Sequence, residues 1–327
     1  MGQERQLLDI LNDGKFHSGE ELAAQLGRLS RAAIWKIIRN LEALDLEIHA
    51  VRGRGYRLAE PVELLEQDRI NAALTDTARS WVNAIEIHER IDSTNTYLFN
   101  RAKDGLASGS VCLAEWQSAG RGRRGRSWVS PFAASLYLSL LWRFSMEPAL
   151  LSGVSLAVGV ALVRALHGLG IAGLGLKWPN DLLWRYRKLA GVLLEFGGEA
   201  SGPCYIVAGV GLNMAMPTRA ERAIDQPWVD LRRIVGSERL SRNRLAARVI
   251  SELVTAFTHF EEAGFEAFRA DWQRYDLAQG RAVVLQLPTT TISGIARGVD
   301  ASGALLLETA TGIHRFLGGE ISLRLAS

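Results

Sequence analysis

The chain is short of the features that announce the commonest chemistries. It holds two cysteines, Cys112 and Cys204, in 327 residues. Both sit in apolar runs, "SVCLAE" and "PCYIVAG", so buried thiols are expected ahead of a disulfide or a reactive pair. No H-E-x-x-H, paired C-x-x-C or G-x-S-x-G occurs, and the six histidines are scattered. Zinc hydrolysis and serine-triad chemistry therefore lack support in sequence and would need partners that only the fold brings together. The opening "MGQERQLLDI" has no basic segment leading into an apolar one, so no secretory signal is visible. The apolar run Ala149 to Val163 is shorter than the roughly 20 residues a membrane span needs and reads as a buried helix. The cytoplasm, with no membrane partner, is the expected location. A dominant charge of one sign is missing too: the net charge is +3, with 22% charged and 48% hydrophobic residues. Those are ordinary globular values. The length exceeds the ~250–300 residues at which one core stops growing, which implies two or three domains.

Residues 1–65 read as a compact unit of short helices. Ser18 with Glu21 three residues on forms a capping box before an apolar-periodic run, and Ser30 caps a second run in which Ile34, Ile38 and Leu41 share a face. Two helices, a turn containing Gly27 and the hairpin-like "EIHAVRGRGYRL" predict a winged helix-turn-helix. Basic and acidic residues balance over the whole unit. Yet residues 28–40 carry Arg28, Arg31, Lys36 and Arg39 with no acid, and residues 51–58 carry Arg52, Arg54 and Arg57 with none. Such a concentration suits a surface that meets phosphates; the plainer reading is a solvated helix face.

Residues 66–274 mix strand-like runs ("SLYLSLLW", "LAGVLLEFGGE", "CYIVAGVGLNM") with helix-like ones ("ALLSGVSLAVGVALVRALHGLG", "NRLAARVISELVTAFTHFEEAGFEAF"). Residues 275–327 switch to short β runs between Gly, Asp and Ser turns, which predicts a small barrel or sandwich. No short repeat or low-complexity block interrupts this order.

One stretch is rich where the rest is ordinary. "GRGRRGRS", Gly120 to Ser127, nearly fits G-x-x-x-x-G-K-[ST], but Arg126 replaces the lysine and the continuation "WVSPFAASLYLSLLW" is strand-like, whereas a phosphate loop must enter a helix. "GLGIAG", Gly168 to Gly173, fits a dinucleotide fingerprint but follows a helix-like segment instead of a strand. What stands is a glycine-loosened loop whose guanidinium forks and backbone N–H groups can cradle an anion. Like-charge repulsion and glycine entropy predict a loop that is loose without ligand.

Around it lie "IDSTNTYL" (Ile91 to Leu98), "KWPND" with the downstream "RKLAG" (Lys177 to Gly191), "GVGLNM" and "GGEISLRL". In order and spacing these stretches closely resemble the bifunctional biotin protein ligase and biotin operon repressor family, over essentially the whole chain. The resemblance implies an α+β multidomain protein. It would comprise a winged helix-turn-helix, a central mixed α/β catalytic domain of the biotin/lipoate ligase type (class II synthetase-like) and a C-terminal SH3-like β-barrel. Such proteins make biotinoyl-5′-AMP from biotin and ATP with Mg²⁺, pass biotin to a lysine of a biotin carboxyl carrier protein, and bind operator DNA as a homodimer when loaded with the adenylate.

By the same resemblance Ser93, Thr94, Asn95, Gln117, Gly120, Arg121, Gly122, Arg123, Lys188 and Gly191 hold biotin. Arg123, Arg126, Trp128, Lys177, Asn180, Lys188 and Asn213 meet the nucleotide, with Lys188 and Arg123 the catalytic cations; Asn180 and Asp181 equally suit a plain β-turn. No separate metal cage is visible. Arg28, Ser30, Arg31, Trp35, Lys36, Arg39, Arg52 and Arg54 would face DNA. Two details depart from the repressor pattern: the turn "LGRLSRAA" is one residue longer than the usual tight form, and Trp35 stands where a small polar reader is typical, sharing the basic outer face with Arg31 and Arg39. Lipoate ligases share the catalytic fold but lack the long arginine loop and the N-terminal reader.

Overall fold

The computed structural model describes residues 2–198, 204–236, 240–318 and 321–325. It begins with helices α1 (Gly2–Leu11), α2 (Gly19–Gln25) and α3 (Arg31–Glu42), followed by a hairpin of β1 (Ile48–Val51) and β2 (Gly55–Leu58). Ser18 closes the expected capping box on α2; Ser30 caps α3 through the Ala33 N–H alone, because no glutamate stands three residues on. Ile34, Ile37, Ile38 and Leu41 turn inward from α3, while Trp35, Lys36 and Arg39 remain outside.

A linker, then α4 (Gln67–Ala73) and α5 (Asp76–Trp81), lead into the central unit. Its elements are β3 (Ala84–His88), α6 (Thr94–Lys103), β4 (Ser110–Ala114), β5 (Ser135–Phe144), α7 (Val154–His167), β6 (Leu174–Lys177), β7 (Asp181–Trp184), β8 (Arg187–Gly198), β9 (Cys204–Asn213), α8 (Leu231–Val235), α9 (Arg242–Ala263) and α10 (Glu266–Tyr275). The strands form one seven-stranded sheet in the order β3-β4-β5-β9-β8-β7-β6, parallel only between β3 and β4. Strand alternation sets its two faces. Leu136, Leu138 and Leu140 of β5 and Ile206, Ala208, Val210 and Leu212 of β9 enter the main core with α7 and α9. The alternate residues, among them Tyr137, Ser139, Gly209 and Gly211, are left for the opposite face. The run expected to be a buried helix is α7, and the segment ending "FEEAGFEAF" is two helices instead of one, broken at Gly264 with φ 62°. Both cysteines are buried and unpaired with each other, as expected.

A five-stranded antiparallel sheet closes the chain: β10 (Ala282–Gln286), β11 (Thr291–Val299), β12 (Leu305–Thr309), β13 (Gly312–Phe316) and β14 (Ser322–Leu325), ordered β13-β12-β11-β10-β14. Val283, Leu285, Leu305 and Leu307 run into the same core as the central helices, so no apolar gap separates the last two units.

The first two units are also joined through buried contacts. Phe132 and Ala133, which follow the arginine loop, belong to the hydrophobic cluster of the helix-turn-helix, and the Phe132 N–H donates to the Leu44 carbonyl at 3.1 Å. The linker is pinned from below. Arg242 bonds Glu115 at 2.6 Å, the Glu63 carbonyl at 2.7 Å and the Ser135 carbonyl at 3.1 Å, and Glu115 in turn accepts the Leu65 N–H. Removing either partner of so buried a pair typically costs ~3–5 kcal/mol. Among the described residues no helix is long and apolar enough to cross a membrane.

Candidate functional site

The face of the sheet opposite α7 and α9 carries the pocket. Its floor is β5, β9 and β8, one wall is the first turn of α6, and the arginine loop lies over it. Glycines make the floor flat. A Cβ on Gly211 would sit 2.4 Å from the Trp128 ring, and one on Gly191 would sit 3.0 Å from it, so the indole lies on two bare backbones. A Cβ on Gly209 would strike Asn95 at 2.3 Å.

Polar groups on this floor are joined in series. Ser93 caps α6. Thr94 reaches Gln117 through its N–H (2.9 Å) and hydroxyl (3.2 Å), and Gln117 donates to Ser130 at 3.1 Å. Ser139 lies 2.8 Å from both Thr94 Oγ1 and Asn95 Oδ1, and the Asn95 amide donates to Glu195 at 2.8 Å. Buried polar groups of this sort are kept only when satisfied. Their fixed donors and acceptors can read a small polar head group.

A cluster of positive charge occupies the other end. Asp181, at the start of β7, takes Lys188 at 2.8 Å on one oxygen and Lys177 at 2.9 Å on the other. Burial alone would raise the Asp181 carboxyl; the two ammonium groups outweigh it and hold the group below the usual carboxylate range. Arg123 donates to Asn180 at 2.7 Å and to the Ile321 carbonyl at 3.0 Å, which ties the loop to the C-terminal sheet. Burial pulls the Arg123 guanidinium below its ordinary value, and Asp181 partly restores it. The Trp128 indole N–H is buried without a hydrogen-bond partner, an omission that costs about 1–3 kcal/mol and suits a ligand acceptor.

The loop itself is folded. Arg121 and Ser127 form an isolated antiparallel bridge, the Gly122 N–H donates to the Arg126 carbonyl at 2.7 Å, and the Trp128 N–H donates to the Gly120 carbonyl at 2.8 Å. The looseness expected from charge repulsion is answered by anchors the sequence did not reveal: Glu195 and Thr96 for Arg121, Ser322 for Arg124.

Ser93, Thr94, Asn95, Gln117, Arg121, Gly122, Arg123, Trp128, Asn180, Lys188 and Gly191 all line the pocket. Gly120, Arg126, Lys177 and Asn213 do not. Gly120 and Arg126 shape the loop through backbone bonds, Lys177 reaches the site only through Asp181, and Asn213 donates to the Val229 carbonyl at 3.2 Å. Sequence reading passed over Ser130, Ser139 and Glu195. The serines were visible as hydroxyls breaking strand-like runs; Glu195 gave no signal beyond ending one.

On the helix-turn-helix the charges are less free than the sequence suggests. Arg31 pairs with Glu20 of α2, and Arg39 bonds Glu42 at 2.9 Å while lying 5.7 Å from the Trp35 ring. Arg54 and Arg57 stack over Phe16 at 4.4 and 5.1 Å. Arg28 takes a left-handed φ of 62° in the long turn, and Ser30 is engaged as a cap. Lys36 and Arg52 are exposed, and Trp35 is 57% exposed.

Comparison with known proteins decides the family. Residues 87–213 match the Biotin/lipoate A/B protein ligase family, residues 279–324 the biotin protein ligase C-terminal domain and residues 3–57 an HTH domain. The bifunctional ligase/repressor BirA of Salmonella typhimurium is 44% identical over 98% of this chain and 97% of its own length. The chain belongs to the BirA-type family of bifunctional biotin ligase/repressors. BirA of Escherichia coli is 43% identical over the same shares of the two chains. The biotin protein ligase of Aquifex aeolicus, solved in complex with biotin and ATP, superposes with a TM-score of 0.62 at 28% identity, covering 75% of this chain and all of that one. The architecture agrees: an N-terminal HTH unit, the central ligase fold and a C-terminal β-sheet unit.

Proposed function

We propose that this BirA-type ligase/repressor joins biotin to ATP at the pocket and transfers it to a lysine of a biotin carboxyl carrier protein. The observation that carries the reading is the pairing of a satisfied polar floor with a half-buried two-lysine cluster around Asp181 beside an arginine loop. Joining a carboxylate to a phosphate brings two anions together, so fixed cations are needed where charge gathers in the transition state. The biotin carboxylate attacks the α-phosphate, giving biotinoyl-AMP and pyrophosphate; the carrier amine then attacks the acyl carbon, releasing AMP. Neither step needs an enzyme nucleophile, since both nucleophiles belong to substrates.

Thr94, Asn95 and Gln117, with Ser93 capping their helix, offer the donors and acceptors that a ureido ring requires. Lys188 and Arg123 flank the reacting groups, and Asp181 holds Lys188 in place. Trp128 presents a ring and an unmet N–H to the adenine. Among the described residues no three His, Cys, Asp or Glu side chains gather to hold a metal, and Asp181 is taken up by two lysines. Mg²⁺ therefore fits here as a companion of the triphosphate substrate.

The helix-turn-helix adds operator binding, with two copies gripping one site once adenylate-loaded chains pair. A ligand that favours the paired state shifts that equilibrium by its differential affinity. Operator binding and transfer to a carrier protein both support a cytoplasmic location. The test is exchange of labelled pyrophosphate into ATP. Exchange that requires biotin and falls roughly 10²–10³-fold in Lys188→Ala supports the reading; exchange with lipoate but not biotin overturns the substrate.

A further inference from the structure

A circuit of polar contacts connects one end of the arginine loop to the other through the pocket floor. It starts at Arg121, whose Nη1 lies 2.8 Å from Glu195 Oε1. The second Glu195 oxygen accepts the Asn95 amide at 2.8 Å. From Asn95 it passes through Ser139 to Thr94, then Gln117, then Ser130, and Ser130 donates to the Trp128 carbonyl at 3.0 Å. Trp128 returns to Gly120, next to Arg121, through its N–H.

Glu195 is the single carboxylate in this circuit, and its two oxygens serve different masters. One is held by a floor residue, the other by the loop. We propose that Glu195 is a positioning residue that fastens Arg121 over the pocket and thereby retains the acyl-adenylate until the acceptor arrives.

Two features favour this role over a plain surface ion pair. Surface pairs contribute little because both partners are free to move and are screened. Here the Glu195 side chain is only 18% exposed and is oriented by Asn95, which itself is fixed by Ser139, so the carboxylate is preset before Arg121 docks. Orientation by a second contact is what lets a charge act as a fixed anchor. Secondly, the loop's other end is fastened independently, Arg124 to Ser322 and Arg123 to Ile321. Releasing Glu195 would therefore leave Arg121 the longer, uncharged 3.3 Å bond to Thr96 and loosen one side of the strap while the other stays attached.

The proposal rests on the ligase reading, and its test separates the two. Wild type, Glu195→Gln, Arg121→Gln and the double variant are loaded with biotin and ATP, freed of excess substrate, and followed for escape of biotinoyl-AMP, trapped by hydroxylamine in solution. The expected result is about tenfold faster escape in each single variant with no further gain in the double, because both remove the same fastening. Glu195→Asp, with the charge kept but one methylene short, is expected between wild type and Glu195→Gln; it serves as the readout if the glutamine variant does not fold. Wild-type retention in Glu195→Gln, or effects that multiply in the double variant, overturns the proposal and leaves the ligase reading intact. A wild type that makes no adenylate overturns both.

Discussion

The chain carries two concentrations of positive charge, and they are built in opposite ways. In the catalytic pocket Lys177 and Lys188 share the buried Asp181, and Arg123 is held between Asn180 and the C-terminal sheet. On the helix-turn-helix Arg31, Arg39 and Arg54 lie in the open, paired with exposed Glu20 of α2 and half-buried Glu42 of α3 or stacked on Phe16. Exposed pairs of this kind contribute ~0–1 kcal/mol. The first arrangement fixes charge where one transition state needs it. The second leaves side chains ready to exchange a weak partner for phosphate, at little cost to the fold.

The comparison is sharpened by a buried acid that has no cation. Asp276 follows α10, and its Oδ2 is buried without a partner. Burial pushes its carboxyl up to about 6, against the pull of the Ala278 and Gln279 N–H groups. Folding favours the protonated form, so stability is highest below the unfolded value near 3.8, falls as pH rises through about 6, and then levels off. At 1.36 kcal/mol per unit the loss amounts to at most about 3 kcal/mol. Urea unfolding at pH 4 and pH 7 should show Asp276→Asn gaining on the parent at the higher pH by up to that amount. An unchanged gap between the two proteins would mean that Asp276 finds a partner after all. Asp181, more deeply buried but doubly paired, shifts the other way.

A smaller effect probes the exposed side. Lys36 stands on the outer face of α3 beside Trp35. Lys36→Ala should alter thermal stability by less than about 0.5 kcal/mol, as surface changes do. If it meets a phosphate, the slope of log K against log salt for operator DNA should drop by about 1. An unaltered slope would place the DNA elsewhere on the unit.

Local signals carried much of this architecture. The capping box at Ser18, the alternation in "SLYLSLLW" and the punctuated β runs after residue 275 each depend on neighbours within a few positions, and each folded as expected. Motif resemblance placed Thr94, Gln117, Arg123 and Lys188, which the fold gathers around one pocket from β4, β5, β8 and α6 surroundings. What stayed hidden was long-range. Glu195 meets Asn95 across 100 positions, Glu115 meets Arg242 across 127, and Phe132 plugs a core that the sequence assigns to residues 1–65. No periodicity reports such pairings, because they are fixed by how the sheet registers and how the units dock. The resemblance puts Asn213 at the nucleotide; that its amide donates to the Val229 carbonyl is a pairing of the same hidden kind.

The most direct measurement is a crystal structure of the chain grown with biotin and ATP. The account predicts biotinoyl-AMP running from the Thr94–Gln117 floor to the Trp128 ring, with Lys188 against the acyl-phosphate and the Arg121–Trp128 strap closed over it through Glu195. Density that places the adenylate elsewhere, or the strap folded back with Lys188 still buried on Asp181, would contradict it.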